Sequence, residues 1–250
     1  SVSLQGAILL DANFSGVNLK GANLSDANLR RTNLGSANLT NAILTNVISG
    51  ITDINAITQL PTGYQVLNGY ILGPGVNIEG EDLGSGILKD IDLRSIKMAR
   101  ANLSELTFNN VKTLNIGTYE GLQLPEDYKI FGDSIIGPGV DINGEQEDFK
   151  NADLTNMRLI DTNFDGVNFN NAILTGLQTS GIHEGLPDIE LPDGYSAYWQ
   201  PENRKTYIIG PDVDLTNMDL RLFNLRNFDF DGISSGGNID SRGTQLPDGY

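Results

Sequence analysis

From Leu4 onward, every fifth residue is large and apolar: Leu9, Phe14, Leu19, Leu24, Leu29, Leu34, Leu39 and Leu44. Two places before each stands a small or β-branched residue, Val2, Ala7, Ala12, Val17, Ala22, Ala27, Thr32, Ala37 or Ala42. Asn fills most of the positions between them, as at Asn13, Asn18, Asn23, Asn28, Asn33 and Asn38. A helix needs apolar residues at i, i+3, i+4 and i+7, and a strand needs simple alternation. A strict period of five satisfies neither. It suits a short extended stretch in which the small residue and the Leu, two apart, face the same way. The intervening Asn faces out, and the last two residues turn a corner. Repetition makes a flat-sided coil whose turns stack at about 4.8 Å. Leu then lies on Leu and Ala on Ala, and stacked Asn side chains are expected to form a ladder. Each turn touches only its neighbours, which defines a solenoid.

The unit A-(N/D)-L-x-x, seen in Ala22-Asn23-Leu24, Ala27-Asn28-Leu29, Ala101-Asn102-Leu103 and Ala152-Asp153-Leu154, resembles the pentapeptide-repeat family. That resemblance implies an all-β fold, a right-handed quadrilateral β-helix with four pentapeptides per coil. The structural core expected on this register includes Leu19, Leu24, Leu29, Leu34, Leu39, Leu93, Leu103, Leu154, Phe164 and Leu220.

The repeat is interrupted, and the interruptions themselves repeat. Leu60-Pro61-Thr62-Gly63-Tyr64 matches Leu124-Pro125-Glu126-Asp127-Tyr128, Leu191-Pro192-Asp193-Gly194-Tyr195 and Leu246-Pro247-Asp248-Gly249-Tyr250. Ile71-Leu72-Gly73-Pro74-Gly75-Val76 matches Ile135-Ile136-Gly137-Pro138-Gly139-Val140 and Ile208-Ile209-Gly210-Pro211-Asp212-Val213. All nine prolines fall in these connectors, as expected if the tracts are unbroken ladders that cannot spare an N–H donor. The expected organisation is tract 1 at 1–45, a connector at 46–75, tract 2 at 76–110, a connector at 111–139 and tract 3 at 140–176. A connector with an aromatic and basic insertion at 177–212, tract 4 at 213–232 and the start of a further connector at 233–250 complete it, all within one continuous solenoid. The connectors are apolar rather than slack. Val66-Leu67 and Ile71-Leu72 flank the tight-turn pair Asn68-Gly69, so each is expected to be ordered, as irregular coils or as a small hairpin packed on the helix. Connectors of this kind resemble those of long multi-module pentapeptide-repeat proteins. The chain is therefore expected to be an excerpt of an array, or a subunit that stacks end to end.

Composition narrows the chemistry. There is no Cys and a single His, His183, which excludes disulfides, cysteine nucleophiles and zinc fingers. No run of 18 apolar residues exists, so no transmembrane helix is expected. The net charge of −16 opposes binding to duplex DNA or an anionic membrane. Some acidic members of the family imitate DNA and bind gyrase, which makes a topoisomerase-binding DNA mimic the alternative reading. The charge distribution weighs against it. Residues 1–52 hold Asp11 and Asp26 against Lys20, Arg30 and Arg31 and are slightly basic. A rod of about 12 turns carries roughly one charge per 4 Å, against one per about 1.7 Å for duplex DNA.

Other candidates for chemistry are weaker. Asn227-Phe228-Asp229-Phe230-Asp231-Gly232 imitates the start of a calcium loop, but position twelve is Asn238 rather than Glu. Glu79, Glu81 and Asp82, and likewise Glu145, Glu147 and Asp148, are clusters that could hold a divalent ion, though solvated corner charges explain them as well. His183 has no evident nucleophile beside it. Tyr198, Trp199, Arg204 and Lys205 combine aromatic and cationic groups in a manner common at binding hot spots, so they form a candidate partner-contact loop. A loop folded back on its own connector explains them equally well. No catalytic residue, cofactor or metal is expected. The chain is expected to serve as a structural or interaction scaffold whose partners are proteins, through end-to-end self-association or neighbouring modules. A cell-surface, secreted or virion location suits that role.

Overall fold

Twenty residues separate consecutive levels of the fold. Parallel bridges join Asn13 to Asn33, Asn18 to Asn38, Asn23 to Ile43 and Asn28 to Ile48. Four pentapeptides therefore make one coil, and the outward residue of each side stacks on its counterpart one coil on. The computed structural model describes residues 2–50, 52–54, 58–113, 115–142, 149–182 and 187–215. The expected core residue Leu220, His183, the second acidic cluster and the calcium-like segment lie outside these. The chain forms an all-β solenoid that divides into two compact units between Ile135 and Ile136.

Inside each pentapeptide the burial follows the register. Ala22, Leu24, Ala27, Leu29, Ala37 and Leu39 are almost wholly buried, as are Leu19 and Leu34. In the later tracts Leu93, Leu103, Leu154 and Phe164 are buried as well. Phe164 meets Phe169 edge-on, and Phe169 stacks on Phe149, which lies twenty residues earlier and so one coil away. Each buried Leu contributes about 1.5–3 kcal/mol relative to an exposed one.

The corner is a type II-like turn. The Leu carbonyl accepts the N–H of the next small residue, as in Leu24 to Ala27 at 2.9 Å. The last residue of the unit takes positive φ, as at Asp26, Arg31, Ser36 and Asn41, all near 60°. Gly, Asn and Asp are common there because they tolerate that region at least cost.

The backbone donors of one unit are completely used. Ala22 N–H donates to Leu19, Asn23 N–H to Val2 one coil back, Leu24 N–H to Ile43 one coil on, and Asp26 N–H to Thr45. The fifth donor, Ser25 N–H, goes to Asn23 Oδ1 at 3.0 Å. The same side-chain cap recurs from Ser15 to Asn13, Lys20 to Asn18, Arg30 to Asn28, Gly35 to Asn33 and Thr40 to Asn38. At these positions the Asn oxygen thus serves a local bond rather than a ladder, while Asn23 Nδ2 still reaches Gln5 Oε1 one coil back at 3.3 Å. The Asn oxygen turns back onto its own corner, where an N–H would otherwise go unmet. Side-chain bonds between successive coils run along the corners, from Asn46 to Asp26 and from Asn110 to Asp90, and also between outward residues of the sides, from Arg158 to Gln178, each twenty residues apart.

The named strands, in chain order, are β1 (Gln65–Leu67), β2 (Tyr70–Leu72), β3 (Gly86–Asp92), β4 (Leu106–Lys112), β5 (Lys129–Phe131), β6 (Ser134–Ile136), β7 (Val140–Asp141), β8 (Arg158–Thr162), β9 (Gln178–Ile182), β10 (Ser196–Gln200) and β11 (Lys205–Ile209). β3 and β4 are parallel, as are β8 and β9, and form flat sides of the coils. Each of the three connectors among the described residues contains a hairpin. β1 and β2 pair antiparallel across Asn68-Gly69, both with positive φ, the geometry of a type I′ turn. β5 and β6 form a second pair. β10 and β11 form the third, and β11 also pairs antiparallel with β9.

A connector enlarges one coil rather than leaving the stack. Ile48 bridges to Asn77, twenty-nine residues on instead of twenty. The third is larger still, since the Asp214 N–H donates to Leu177 and Asp214 accepts from Gln178, thirty-six residues away.

Candidate functional site

At the end of each of the first three tracts the period of five continues for one more step, but with a hydroxyl. Ser49, Thr113 and Thr179 follow Leu44, Phe108 and Leu174 by five residues, and all three are buried. Ser49 Oγ accepts the Ile71 N–H at 2.7 Å, and Thr179 Oγ1 accepts the Ile208 N–H at 2.7 Å. Thr113 Oγ1 donates to the Ile135 carbonyl at 2.6 Å. The returning hairpin strand plugs into the place a Leu would have filled, and Ile71, Ile135 and Ile208 are wholly buried there. Sequence reasoning ended the tracts at the last apolar residue and missed these three. The signal was available: a hydroxyl residue in perfect register.

The motif pair of each connector also has a physical link. Tyr64 Oη donates to the Pro74 carbonyl at 3.0 Å, and Tyr195 Oη donates to the Pro211 carbonyl at 2.8 Å. Gly73 and Gly210 lie directly against these rings: an added Cβ would come within 2.4 Å of the Tyr64 ring and 2.3 Å of the Tyr195 ring. Burial raises the hydroxyl pKa of Tyr64, and the charge of Asp92 adds to the effect. Tyr195 is raised likewise by burial and by Asp212. Tyr128, the equivalent in the second connector, packs against Phe108 with ring centroids 4.8 Å apart.

Of the four residues expected at a contact loop, Tyr198 and Trp199 lie within β10 and are half-buried. Arg204 is exposed and holds positive φ in the turn, and Lys205 opens β11 and pairs with Asp161. The turn is set by Asn203, whose Nδ2 donates to Gln200 Oε1 and Tyr207 Oη, both at 2.8 Å, while its Oδ1 accepts the Lys205 N–H. The structure thus gathers the four residues on one hairpin. That hairpin is part of a four-stranded sheet, in the order β10-β11-β9-β8, continuous with the solenoid wall. Burial raises the Tyr198 pKa against an opposing bond to Ser196.

The first acidic cluster is dispersed among separate partners. Glu81 pairs with Arg30 at 2.6 Å, Glu79 accepts the Thr118 hydroxyl, and Asp82 caps the Gly84 N–H. Among the described residues no group of three or more His, Asp or Glu side chains is placed to share a metal ion. None of their helices is long and apolar enough to cross a membrane.

Residues 7–46 and 148–178 match the pentapeptide repeats family in eight copies, and the chain carries pentapeptide repeats of that family over these residues. Among solved structures, HetL, a pentapeptide repeat protein involved in heterocyst differentiation regulation from the cyanobacterium Nostoc sp. strain PCC 7120, aligns at 19% identity. That alignment covers 100% of this chain and 91% of HetL, with a TM-score of 0.22. A trypsin-treated variant of QnrB1, a plasmid-mediated fluoroquinolone resistance protein, aligns at 12% identity over 99% of this chain and 92% of its own, with a TM-score of 0.20. At such scores the fold assignment rests on the twenty-residue register itself. No curated protein is detectably similar in sequence.

Proposed function

We propose that the chain is a non-enzymatic structural scaffold, a solenoid segment that presents surfaces to protein partners, including further copies or modules of its own kind. The observation that carries this reading is the complete use of the five backbone donors in a repeat unit. In such a coil the polar side chains serve repeat-to-repeat closure. The donors and acceptors at a coil edge match those of any other coil, which favours stacking. Sedimentation and electron microscopy test it: the reading expects concentration-dependent end-to-end association, and a particle that stays a compact monomer at about millimolar concentration overturns it.

The acidic DNA-mimic alternative draws on the charge excess beyond residue 52 and on the family resemblance. Against it, several carboxylates are neutralised by neighbours: Asp11 by Arg31, Glu81 by Arg30, Asp92 by Arg94 and Asp161 by Lys205. Inhibition of gyrase supercoiling at low micromolar protein would replace the scaffold reading with this one.

A further inference from the structure

One corner of the first unit carries a gap that the fold does not require. Asn46, Gly75, Ser95 and Asn115 form a single corner column: Asn46 N–H donates to Gly75, Gly75 N–H to Arg94 and Ser95 N–H to Asn115. All four have positive φ, at 57°, 70°, 59° and 53°. Asn and Ser adopt this conformation in the same column, and Asp212, which stands in the third connector where Gly75 stands in the first, adopts it at 57°. A Cβ at Gly75 would meet nothing closer than Thr45 Cγ2 at 3.7 Å, an ordinary contact. Packing thus does not demand glycine here, and over it lies an open surface cleft of about 590 Å³.

The lining mixes polar and apolar surface and is held in place. Asp92 receives the Arg94 guanidinium through Nε at 3.0 Å and through a terminal nitrogen at 2.7 Å, and it also accepts the Arg94 backbone N–H at 2.9 Å. Tyr64 is anchored by its bond to Pro74 on the adjoining wall. Thr45 and Ser95 bring hydroxyls and Asn115 an amide. The acid and the base cancel each other, so the cleft offers no net charge to an anion or a cation. With Asp92 and Arg94 bonded to each other and the Tyr64 hydroxyl to Pro74, it offers the Thr45 and Ser95 hydroxyls, the Asn115 amide and the Tyr64 ring. That set complements vicinal hydroxyls on a ring that also has C–H faces.

We propose that this corner cleft, bounded by Tyr64, Asp92, Arg94 and Asn115 over Gly75, binds a neutral saccharide unit. The experiment titrates the whole chain with maltotetraose, cellotetraose and N-acetylchitotetraose, followed by saturation-transfer NMR and calorimetry. A galacturonate tetramer serves as the acidic counterpart. The proposal expects at least one neutral sugar to bind with a Kd of about a millimolar or below, with the galacturonate weaker. Gly75→Asn places in the gap a side chain that the same column already accommodates. It should weaken binding at least about tenfold while sheet circular dichroism and melting stay near those of the parent chain. Arg94→Gln removes one wall group without filling the gap and should weaken binding in the same direction. Absence of saturable binding by all three neutral sugars overturns the proposal. So does binding that survives both substitutions, or a preference for the acidic tetramer. Because the readout is sugar affinity, it stands or falls separately from end-to-end association.

Discussion

Tyr64 donates its hydroxyl to the carbonyl of Pro74 at 3.0 Å, and through this bond the two sequence motifs of the connector close on one another. Tyr64→Phe keeps the ring and loses the bond, and is expected to cost about 1 kcal/mol of unfolding free energy. Gly73→Ala should cost more, because its Cβ displaces the ring. Chemical denaturation checks both; a Phe variant with an unchanged midpoint would show that the ring alone holds the connector.

The same tyrosine gives a pH prediction. Its folded-state pKa is raised above the ordinary value of 10.0 by burial and by Asp92. The neutral form is the one the fold prefers, so its contribution is fully present below pH 10.0. It is lost as pH climbs through the raised value. Stability measured from pH 9 upward should decline more in the parent chain than in Tyr64→Phe, and parallel curves would contradict this.

Ser49 and Thr179 are buried hydroxyls that accept hairpin N–H groups. Ser49→Ala and Thr179→Val are expected to cost about 1–3 kcal/mol each, since each strands a buried donor. By contrast Thr40→Ala, at a half-buried corner where the hydroxyl makes only a long bond to Gln59, should change little. Equal small effects at all three sites would mean that the hairpins are held by apolar burial alone.

Asn28 caps the Arg30 N–H, whereas Ile43 occupies the equivalent place with no oxygen to offer and half its surface exposed. Asn28→Ala is expected to destabilise by about 1 kcal/mol. Ile43→Asn should stabilise by a few tenths of a kcal/mol or more, up to about 1. Thermal melts of the two variants shifting in the same direction would show that the cap is not what the position selects.

Much of this fold was legible because a period of five leaves a chain few options. Leu24 and Ala22 could be placed inside from spacing alone, and the hairpin from the apolar pairs around Asn68-Gly69. Asn23 was only half read: its Nδ2 does reach Gln5 one coil back, while its Oδ1 takes the nearer N–H of Ser25, a bond with no loop to close. Ser49 was passed over because its meaning depends on Ile71, twenty-two residues on, which no local pattern names. The Tyr198 to Lys205 hairpin was legible as a unit but not as an extension of the wall. That depends on β9, whose pairing with β11 only the fold reveals.

The twenty-residue coil has one more implication. Five residues carry the chain a quarter of the way round, so the length of a tract sets the side from which the next hairpin emerges. Adding or deleting a single pentapeptide would leave every backbone bond type intact and rotate that hairpin by about 90°. In such a chain, length is a compass bearing. Evolution or an engineer can aim a surface by counting in fives.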